Sequence, residues 1–597
     1  MKSLSLAVAL INTVALASCT ERASGPSSGG AELMGSGDRS MSGGEPGGTC
    51  AAGVANGDDC SGSAMDVGSP GVAEGPPATV ALDNPAAPAG AAGEPAGAEM
   101  PAVACDESVI GGSSPSTLSV DVNAAQQSVH KEIFGVLLET LGRDVNGGLY
   151  VGRNSTVPNT NGLRNDIIEG FREASVGTVQ WPGGCAANTY DWAPNTNPAN
   201  TMGTDLFMEF TASIGAEPYI TGRPGPEFAA SNRQWVEYIN DNPQHPEWNL
   251  QYFKVGNEVW GCGGNLGHDA QALATYETWY NANWDVLNPP VNGKDLFLVG
   301  ATAGIWTVNP NTDNWLTLML QPTSLASRID GIEIHDYLYF PEANAAPIPN
   351  VGFTDAQYYE IVNRANEGQI APRIRNIRTI LDRTDPEGRT KIMLDEWGDW
   401  LVGFDEAQDT WTQQGTVMDA VSAAEHLHVF MANADRIQMA ALAQPINVIH
   451  SLFLTRPGDG ALVKTPTFHL FKMFAPHHTA NARWAPNTLE SERIQTFPVL
   501  SSGATVDDTG GVNISLVNVD LVNTRSLDIT LNSSAASYVV SSAQVITGAA
   551  KDTYNEFDQP EAVNAQPLAT SNYQACGRSL SITLPSKSVV MLRLDPR

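Results

Sequence analysis

The sequence predicts an α/β fold: a (β/α)8 barrel of the TIM type, followed by an antiparallel β-sandwich and preceded by a disordered tether. Three observations lead to this prediction. Short apolar runs alternate with longer amphipathic segments between about residues 130 and 445. Polar and β-branched residues alternate after about residue 480, and Gly, Ala, Ser and Pro dominate residues 20–112.

The barrel is predicted from eight apolar runs that we expect to form parallel strands. They span residues 133–138, 177–181, 217–221, 252–256, 297–301, 331–335, 392–395 and 436–443. A doubly wound nucleotide-binding fold is the rival, but no G-x-G-x-x-G motif follows the first run and no P-loop occurs. We therefore expect the barrel over residues 113–480 and the sandwich over residues 481–597, with residues 113–130 as a candidate extra strand of the sandwich.

The first 19 residues predict export. Lys2 precedes a short apolar run, and Leu16-Ala17-Ser18-Cys19 resembles the lipobox of bacterial lipoproteins, whose cysteine receives the lipid. Ordinary secretion with removal of Cys19 is the alternative. No later stretch reaches the ~18 apolar residues of a membrane span, so we expect attachment by the lipid only, at the cell surface or in the periplasm.

The other six cysteines fit an oxidising compartment. Cys50 and Cys60 could close a loop inside the tether, and Cys105 and Cys576 could join the start of the folded region to its end. Free buried thiols are the alternative reading. The last two cysteines are Cys185 and Cys262.

The charge balance bears on the partner. The chain has 32 Lys and Arg against 65 Asp and Glu, a formal charge of −33, which would repel nucleic acid and anionic membrane surfaces. Its 42% hydrophobic residues and 13 Trp supply a large core. Neutral polymers such as polysaccharides remain suitable partners.

Polar side chains cluster where the predicted strands end, which is where barrel enzymes carry their chemistry. Hydrolysis of a glycosidic bond needs a proton donor and a second carboxylate, which stand ~5–5.5 Å apart in retaining enzymes. Glu258 ends the fourth run and Glu396 ends the seventh, so a closed barrel would bring them together. The sequence therefore offers a retaining pair.

The motifs around these acids carry a family resemblance. They read IFGVLLETLGR at 133–143, WPGGC at 181–185, GNEVWGCGGN at 256–265, LDEWGDW at 394–400, AQPINV at 443–448 and TPTFH at 465–469. In this order, the chain resembles the α-L-arabinofuranosidases of glycoside hydrolase family 51 from about Lys131 to His478.

The resemblance implies a role for each residue of the site. Glu258 would be the general acid/base and Glu396 the nucleophile, kept ionised with help from a Tyr337 hydrogen bond. Asn257 would hold the sugar 2-hydroxyl. Further residues that would contact the furanose or the nucleophile, or lie beside them, are Glu139, His335, Tyr337 and Gln444. A disulfide between Cys185 and Cys262 would hold the loop after Glu258 in place.

One position departs from the family pattern. Where the family usually has Arg before the aromatic-Pro-Gly-Gly element, this chain has Gln180. Loss of that positive charge could alter sugar preference or raise the pKa of nearby acids. Arg143 and Arg223 are candidates to supply the charge instead.

The resemblance implies an exo-glycosidase that removes terminal non-reducing α-L-arabinofuranosyl residues from arabinan, arabinoxylan or their fragments by double displacement, without metal or cofactor. One alternative is the same machinery on another linkage, as an endo-β-1,4-glucanase, a xylanase or xylosidase, or a galactofuranosidase. The other is a surface glycan-binding protein without turnover. The sequence shows no subunit interface, so a homo-oligomer stays open.

Overall fold

The computed structural model describes residues 114–196, 198, 201–262, 266–302, 315–321, 325–340, 351–401 and 412–597. These residues all fall within one compact unit of the chain. The predicted signal and tether, with Cys19, Cys50, Cys60 and Cys105, lie outside the described residues. Within the described ranges, none of the helices combines the length and the hydropathy that a bilayer span requires.

Eight parallel strands close into a barrel, and the (β/α)8 prediction is confirmed. The first strand pairs with the eighth through Val136 and Leu442, which completes the ring. The strands are Gly135–Leu137, Thr178–Trp181, Glu217–Gly222, Tyr252–Val255, Phe297–Gly300, Gly331–Tyr339, Lys391–Trp400 and Ile437–Leu442. Below we number them barrel strands one to eight.

Barrel strands six and seven are longer than the apolar runs predict. They continue to Tyr339 and Trp400, paired side by side along this extension. The Trp400 ring meets the Tyr337 ring at 5.6 Å and the Tyr339 ring at 5.0 Å. Because charged residues interrupt the apolar pattern here, hydrophobic periodicity ends the strands too early.

Helices surround the barrel and cover its apolar outer face. They span Asn165–Glu173, Thr204–Ile214, Ala229–Asn240, Ala270–Leu287, Trp315–Met319, Asp355–Asn363, Ile370–Thr384, Val417–Ala432 and Pro466–Phe474. Capping boxes at Thr354 and Thr416 fix two of the helix starts, because side chain and backbone satisfy each other's free donors. A π-helical turn, Arg364–Gly368, joins the sixth and seventh helices.

The barrel interior beneath the active end is filled by large side chains. The packed group consists of Tyr219, Tyr252, Val299, Met393 and Met439, and all five are buried. This is the layered core expected of such a barrel rather than a pore. The functional side chains above it therefore stand on a rigid floor.

The C-terminal region forms two mainly antiparallel sheets with strands contributed from both ends of the described chain. In the five-stranded sheet, Thr117–Asp121 lies between Asn487–Glu490 and Arg525–Asn532, and Ser579–Leu584 and Tyr573–Cys576 follow. The seven-stranded sheet contains Gln127–Ser128, Arg483–Trp484, Leu500–Val506, Val512–Asn518, Ser588–Pro596, Tyr538–Ile546 and Gln566–Pro567. Three short hairpins complete the strands: Asn159–Thr160 with Leu163–Arg164, Phe453–Thr455 with Leu462–Lys464, and Arg493–Ile494 with Phe497–Pro498.

The helix Val417–Ala432 packs between the barrel and the seven-stranded sheet, and its residues are buried from Val417 to Met431. His428 contacts Ser501 Oγ at 2.9 Å through Nδ1 and Ser515 Oγ at 2.8 Å through Nε2. His477 reaches the same Ser515 Oγ at 2.9 Å. Barrel and sandwich thus share one buried polar network.

Candidate active site

The predicted site residues converge at the carboxyl end of the barrel. Glu139 follows strand one, Glu258 follows strand four, and Gln444 follows strand eight. His335 and Tyr337 lie on strand six, and Glu396 lies on strand seven. This is the face on which TIM barrels carry catalytic groups.

Glu258 and Glu396 both approach Nδ1 of the His335 imidazole. One carboxylate oxygen of each acid and one nitrogen of His335 all lie within 4.8 Å of one another. His335 Nδ1 is 2.9 Å from Glu258 Oε1 and 3.3 Å from Glu396 Oε2. This short spacing matches a retaining pair, since inverting enzymes hold their carboxyls ~6.5–9.5 Å apart.

The second nitrogen of His335 faces two deeper acids. Nε2 lies 3.0 Å from Glu333 Oε1 and 3.4 Å from Asp395 Oδ1. Burial alone would lower the pKa of His335, but the carboxylates of Glu396 and Glu333 outweigh it and raise the pKa well above its ordinary value. The ring is therefore an imidazolium that holds the acids around it in register.

Glu396 has one oxygen held and one free among the described residues. Tyr337 donates its hydroxyl to Oε2 at 3.0 Å, as the sequence predicts, whereas buried Oε1 has no hydrogen-bond partner in the described part of the chain. Burial raises the pKa of Glu396 to about 8, and the neighbouring Glu258 and Glu139 add to the rise. Burial therefore outweighs the tyrosine hydrogen bond, which on its own would favour the ionised form of Glu396.

Glu139 lies against Gln444 and the glycine turn after strand two. Gln444 donates from Nε2 to Glu139 Oε2 at 2.7 Å. Gly184 has φ 61°, and a Cβ there would meet Glu139 Oε1 at 1.7 Å, so only glycine leaves room for this carboxylate. Burial raises the pKa of Glu139 to about 7.

The backbone around Asn257 and Glu258 is held in an unusual conformation. Glu258 has φ 41°, a left-handed value that non-glycine residues rarely adopt. The Asn188 side chain binds both backbone polar groups of Asn257. Its Nδ2 donates to the Asn257 carbonyl oxygen at 2.6 Å, and its Oδ1 accepts the Asn257 N–H at 2.8 Å. Glu333 Oε1 accepts the Glu258 N–H at 3.0 Å. These bonds offset the strain and aim the Glu258 side chain.

A lysine that the sequence analysis did not select lies under the site. Lys254, on barrel strand four, is fully buried. Its Nζ lies 2.8 Å from Asp395 Oδ2 and donates to Asn257 Oδ1 at 2.8 Å. Burial lowers the pKa of Lys254, but Asp395, Glu333 and Glu396 more than reverse this and raise it, so the ammonium stays charged.

Neither arginine named as a replacement for the missing charge reaches this cluster. Arg143 donates to the Thr455 carbonyl oxygen at 2.9 Å, and Arg223 pairs with Asp191 at 3.3 Å. That expectation is therefore wrong, because both guanidinium groups are engaged elsewhere. The buried cation beside Gln180 is Lys254.

A disulfide joins the loops after barrel strands two and four. Cys185 and Cys262 are bonded, with their Cα atoms 4.9 Å apart. Cys262 Sγ lies 3.4 Å from Glu258 Oε2, so the bond packs directly against the general acid/base candidate. Cys576 is buried at the end of its strand, and its predicted pairing with Cys105 stays a prediction because Cys105 lies outside the described residues.

Three residues of the site were missed by motif reading: Asn188, Lys254 and Glu333. Strand alternation could have found Glu333, because it lies two residues before His335 and so shares its face. Register shifts at Glu333/His335 and at Leu394/Trp397 re-aim the side chains, which lets Asp395 and Glu396 both serve the site. Such bulges carry no sequence signal that we can read.

Three groups of donors in the described chain lie close enough to hold a metal ion. In Glu258-His335-Glu396, His335 Nδ1 already pairs with both carboxylates. In Asp399-Asp419-His450, His450 Nδ1 accepts the Asp399 N–H at 3.0 Å. In Cys185-Glu258-Cys262, both sulfurs are in the disulfide.

Comparison with known proteins adds an independent line of observation. A family model described as the α-L-arabinofuranosidase C-terminal domain matches residues 395–588. An intracellular exo-α-L-arabinofuranosidase of Bacteroides ovatus is 29% identical over 526 residues, covering 81% of this chain and 97% of its own length. The crystal structure of the GH51 arabinofuranosidase from Xanthomonas axonopodis pv. citri superimposes with a TM-score of 0.70 at 26% identity, over 80% of this chain and 99% of that one. The chain is a glycoside hydrolase, similar in sequence and fold to the α-L-arabinofuranosidases of family 51.

A further family 51 α-L-arabinofuranosidase structure, from Bifidobacterium longum, shares the fold. It superimposes with a TM-score of 0.67 at 20% identity, covering 81% of this chain and all of that one. The glycoside hydrolase described here therefore shares its overall fold with that structure. Its two central glutamates lie at the carboxyl end of the barrel, where TIM barrels carry catalytic groups.

Proposed function

We propose that this glycoside hydrolase removes terminal non-reducing α-L-arabinofuranosyl residues by double displacement with retention of configuration. The observation that carries the proposal is the close approach of Glu258 and Glu396 next to His335, with oxygens of the two acids within 4.8 Å. That spacing leaves room for one anomeric carbon and no water between the carboxyls.

In the first step Glu396 acts as the nucleophile. Its free Oε1 attacks the anomeric carbon while the bond to the leaving oxygen breaks and Glu258 gives that oxygen its proton. Tyr337 keeps Oε2 fixed during the attack. The product of this step is a glycosyl ester on Glu396 and a neutral alcohol.

In the second step Glu258 acts as the base. It takes a proton from water, whose oxygen attacks the same carbon and releases the ester. His335 lies against Glu258 Oε1 and Glu396 Oε2, so its positive charge stabilises whichever carboxylate is ionised at each stage. Two inversions at one carbon give net retention.

The polar atoms left free in the described site fit a sugar ring. Asn257 Nδ2 and Gln444 Oε1 are buried and have no partner among the described residues. Such atoms are costly when unpaired, so a ligand that pairs with them gains affinity. We assign Asn257 Nδ2 to the oxygen of the 2-hydroxyl and Gln444, with Glu139, to another hydroxyl of the furanose.

The polymer we propose is arabinan or arabinoxylan, or fragments of them. These are uncharged or weakly charged, which suits a chain of formal charge −33. The exo mode is supported by the Bacteroides ovatus relative, which is an exo-α-L-arabinofuranosidase.

A panel of nitrophenyl glycosides tests the proposal. We expect turnover of the α-L-arabinofuranoside and little of the β-D-xyloside, β-D-glucoside or β-D-galactofuranoside. Glu396→Ala should lower kcat by about 10⁴-fold or more, because the nucleophile is lost. Glu258→Ala should be slow as well, and azide should accelerate it with an activated leaving group, since azide needs no base.

Glu387→Ala is the matched control, because Glu387 is an exposed carboxylate in the loop before barrel strand seven. It should behave as wild type. Turnover of a different sugar in preference would replace the substrate assignment. Absence of turnover on every glycoside would leave only a glycan-binding role.

For location we propose an exported lipoprotein anchored through Cys19, supported by the lipobox-like Leu16-Ala17-Ser18-Cys19 sequence. Metabolic labelling with a fatty acid tests it. The full chain should be labelled and Cys19→Ala should not, and equal labelling of the two would contradict the proposal.

A further inference from the structure

Lys254 is a fully buried ammonium whose three hydrogens all have acceptors on functional groups. Nζ meets Asp395 Oδ2 at 2.8 Å and Asn257 Oδ1 at 2.8 Å. With the Gln180 amide turned so that both of its ends find complementary partners, its oxygen accepts from Nζ at 3.0 Å. A lysine has three donors and no acceptor, so this set saturates it.

The contact with Asn257 fixes which end of that amide faces the substrate. Because Oδ1 is held by Nζ, Nδ2 must point the other way, and Nδ2 is the buried atom without a partner in the described chain. Without the ammonium the amide could turn over and offer an acceptor instead. Lys254 therefore determines that Asn257 is a donor towards the sugar.

The same ammonium sets the charge of the acids. It pairs with Asp395 at 2.8 Å and lies 3.9 Å from Glu333 Oε2. It also acts on Glu396, whose pKa it lowers against the opposing effect of burial. Removal of a buried partner leaves the remaining charges uncompensated, which is strongly unfavourable.

We propose that Lys254 is a positioning residue of the proposed hydrolysis: it orients the Asn257 amide towards the sugar 2-hydroxyl and favours the ionised form of the Glu396 nucleophile. It also supplies from barrel strand four the positive charge that the family resemblance expects from strand two. This inference rests on the proposed function, since it concerns the same two steps.

Gln180 is the reciprocal half of this arrangement. It lies on barrel strand two, and in the same amide orientation its nitrogen donates to the Asp395 carbonyl oxygen at 2.9 Å. Both side chains are fully buried and in contact. A cationic side chain at position 180 would thus lie close to the acids that Lys254 contacts.

Charged and titratable groups face Lys254 and Glu396 from several strands. The acids are Glu139, Glu258, Glu333 and Asp395. The others are His335, Tyr337, which donates to Glu396, and Tyr219, which donates to Asp395 Oδ2 at 3.1 Å. Among the described groups that face this cluster, Lys254 and His335 are the two cations, so loss of one leaves the acids with a single compensating charge.

The first test replaces the ammonium by a neutral chain of similar length. For Lys254→Met we expect kcat/KM on the arabinofuranoside to fall about 100-fold, mainly in kcat. The acidic limb of the pH profile should move to higher pH, because loss of the cation raises the pKa of Glu396 and a higher pH is then needed to ionise it. Lys391→Met, at the opposite end of barrel strand seven, is the matched control and should keep both values.

A second readout separates positioning from mere packing. The ratio of kcat/KM for the parent arabinofuranoside and its 2-deoxy analogue reports the contact of Asn257 with the 2-hydroxyl. We expect the Lys254→Met substitution to lower this ratio about 10-fold, towards the ratio measured for Asn257→Ala. A packing defect would lower both substrates equally.

The third test moves the charge. Gln180→Arg/Lys254→Met should regain about 10-fold or more of the lost kcat/KM and return the acidic limb towards wild type. If Lys254→Met does not fold, this double variant carries the test through its acidic limb and 2-deoxy ratio, both of which should match wild type.

A folded Lys254→Met with an unchanged acidic limb and unchanged 2-deoxy ratio overturns the inference. If Lys254→Met does not fold, a folded double variant whose acidic limb and 2-deoxy ratio both differ from wild type also overturns it. These outcomes differ from failure of the proposed function, in which wild type itself does not hydrolyse the arabinofuranoside.

Discussion

At the scale of single residues, the site contains more carboxyl groups than cations. In the described part of the chain, the carboxyl groups of Glu139, Glu258, Glu333, Asp395 and Glu396 lie around two cations, His335 and Lys254. Burial disfavours the charged form of an acid, and it raises the pKa of Glu139 and Glu396. The raised pKa values of Glu396, about 8, and Glu139, about 7, express this surplus.

This surplus should make the protein less stable as the pH rises. Glu396 has a folded pKa of about 8 against an ordinary value of 4.5. The stability it contributes is fully present below pH 4.5 and is lost as the pH rises through about 8. Thermal unfolding of wild type should therefore shift to lower temperature between about pH 6 and pH 9, and Glu396→Gln should lose about 1–2 kcal/mol less over that window.

Glu387→Gln is the control, since it removes an exposed carboxylate of the same kind. It should follow the wild-type dependence. Parallel curves for wild type and Glu396→Gln would show that Glu396 is not held in its protonated form in the folded protein.

Motif reading found the residues that face the sugar and missed those beneath them. Glu258 and Glu396 end strands and sit in recognisable sequences, so their meeting could be predicted. Lys254 and Glu333 lie inside strands, where a charge reads as an exposed position rather than a buried partner. Only the closed barrel shows which of them point inward.

At the scale of elements, a disulfide and hydrogen bonds join the loops that follow barrel strands two and four. The turn Cys185–Thr189 carries Asn188, which holds Asn257, and the disulfide fixes this turn to Cys262. The order of these motifs could be predicted from the sequence. The Asn188 contacts could not, because they depend on how two loops meet in space.

Loss of the disulfide should affect both activity and stability. For Cys185→Ser/Cys262→Ser we expect a lower kcat with nearly unchanged KM, because the loop that aims Glu258 loosens. The loop that the bond closes spans 77 residues, so its loss should cost on the order of 2–4 kcal/mol of unfolding free energy. Enzyme assays and thermal unfolding with and without a dithiol reductant measure the two effects.

Reductant should lower the kcat of wild type and leave the kcat of the double serine variant unchanged, whereas any effect through the predicted Cys105–Cys576 pair should be the same in both. Wild type with the same kcat before and after full reduction would contradict the role of this bond in positioning Glu258.

At the scale of the whole molecule, the barrel and the sandwich depend on each other. Burial lowers the pKa of His428 to about 3 and that of His477 well below its usual range, so both rings are neutral. Both nitrogens of each ring have hydroxyl partners, and the two rings share Ser515. This network ties the barrel helix Val417–Ala432 to the seven-stranded sheet.

Ser515→Ala tests that coupling. It leaves two buried ring nitrogens without a partner, which should cost about 1–3 kcal/mol of unfolding free energy. The kcat measured well below the unfolding temperature should not change. Ser526→Ala is the control, because Ser526 is an exposed serine in the sandwich strand Arg525–Asn532. It should change neither the unfolding free energy nor kcat. An unfolding temperature equal to wild type for Ser515→Ala would show that the network does not join the two halves.

The architecture was largely predictable and the connection between its parts was not. The eight barrel strands could be predicted because each contains a run of apolar residues that is recognisable in the sequence alone. The strand Thr117–Asp121 lies parallel to Arg525–Asn532, about 400 residues along the chain. Local periodicity suggested it as a candidate strand of the sandwich but carries no information on such a register.

The stereochemical course of hydrolysis tests the central claim most directly. Proton NMR can follow the first anomer released from nitrophenyl α-L-arabinofuranoside before mutarotation. Attack by Glu396 and then by water predicts the α-anomer first, as in the substrate. If the β-anomer appears first, water has displaced the leaving group in one step, and the double displacement across Glu258 and Glu396 is wrong.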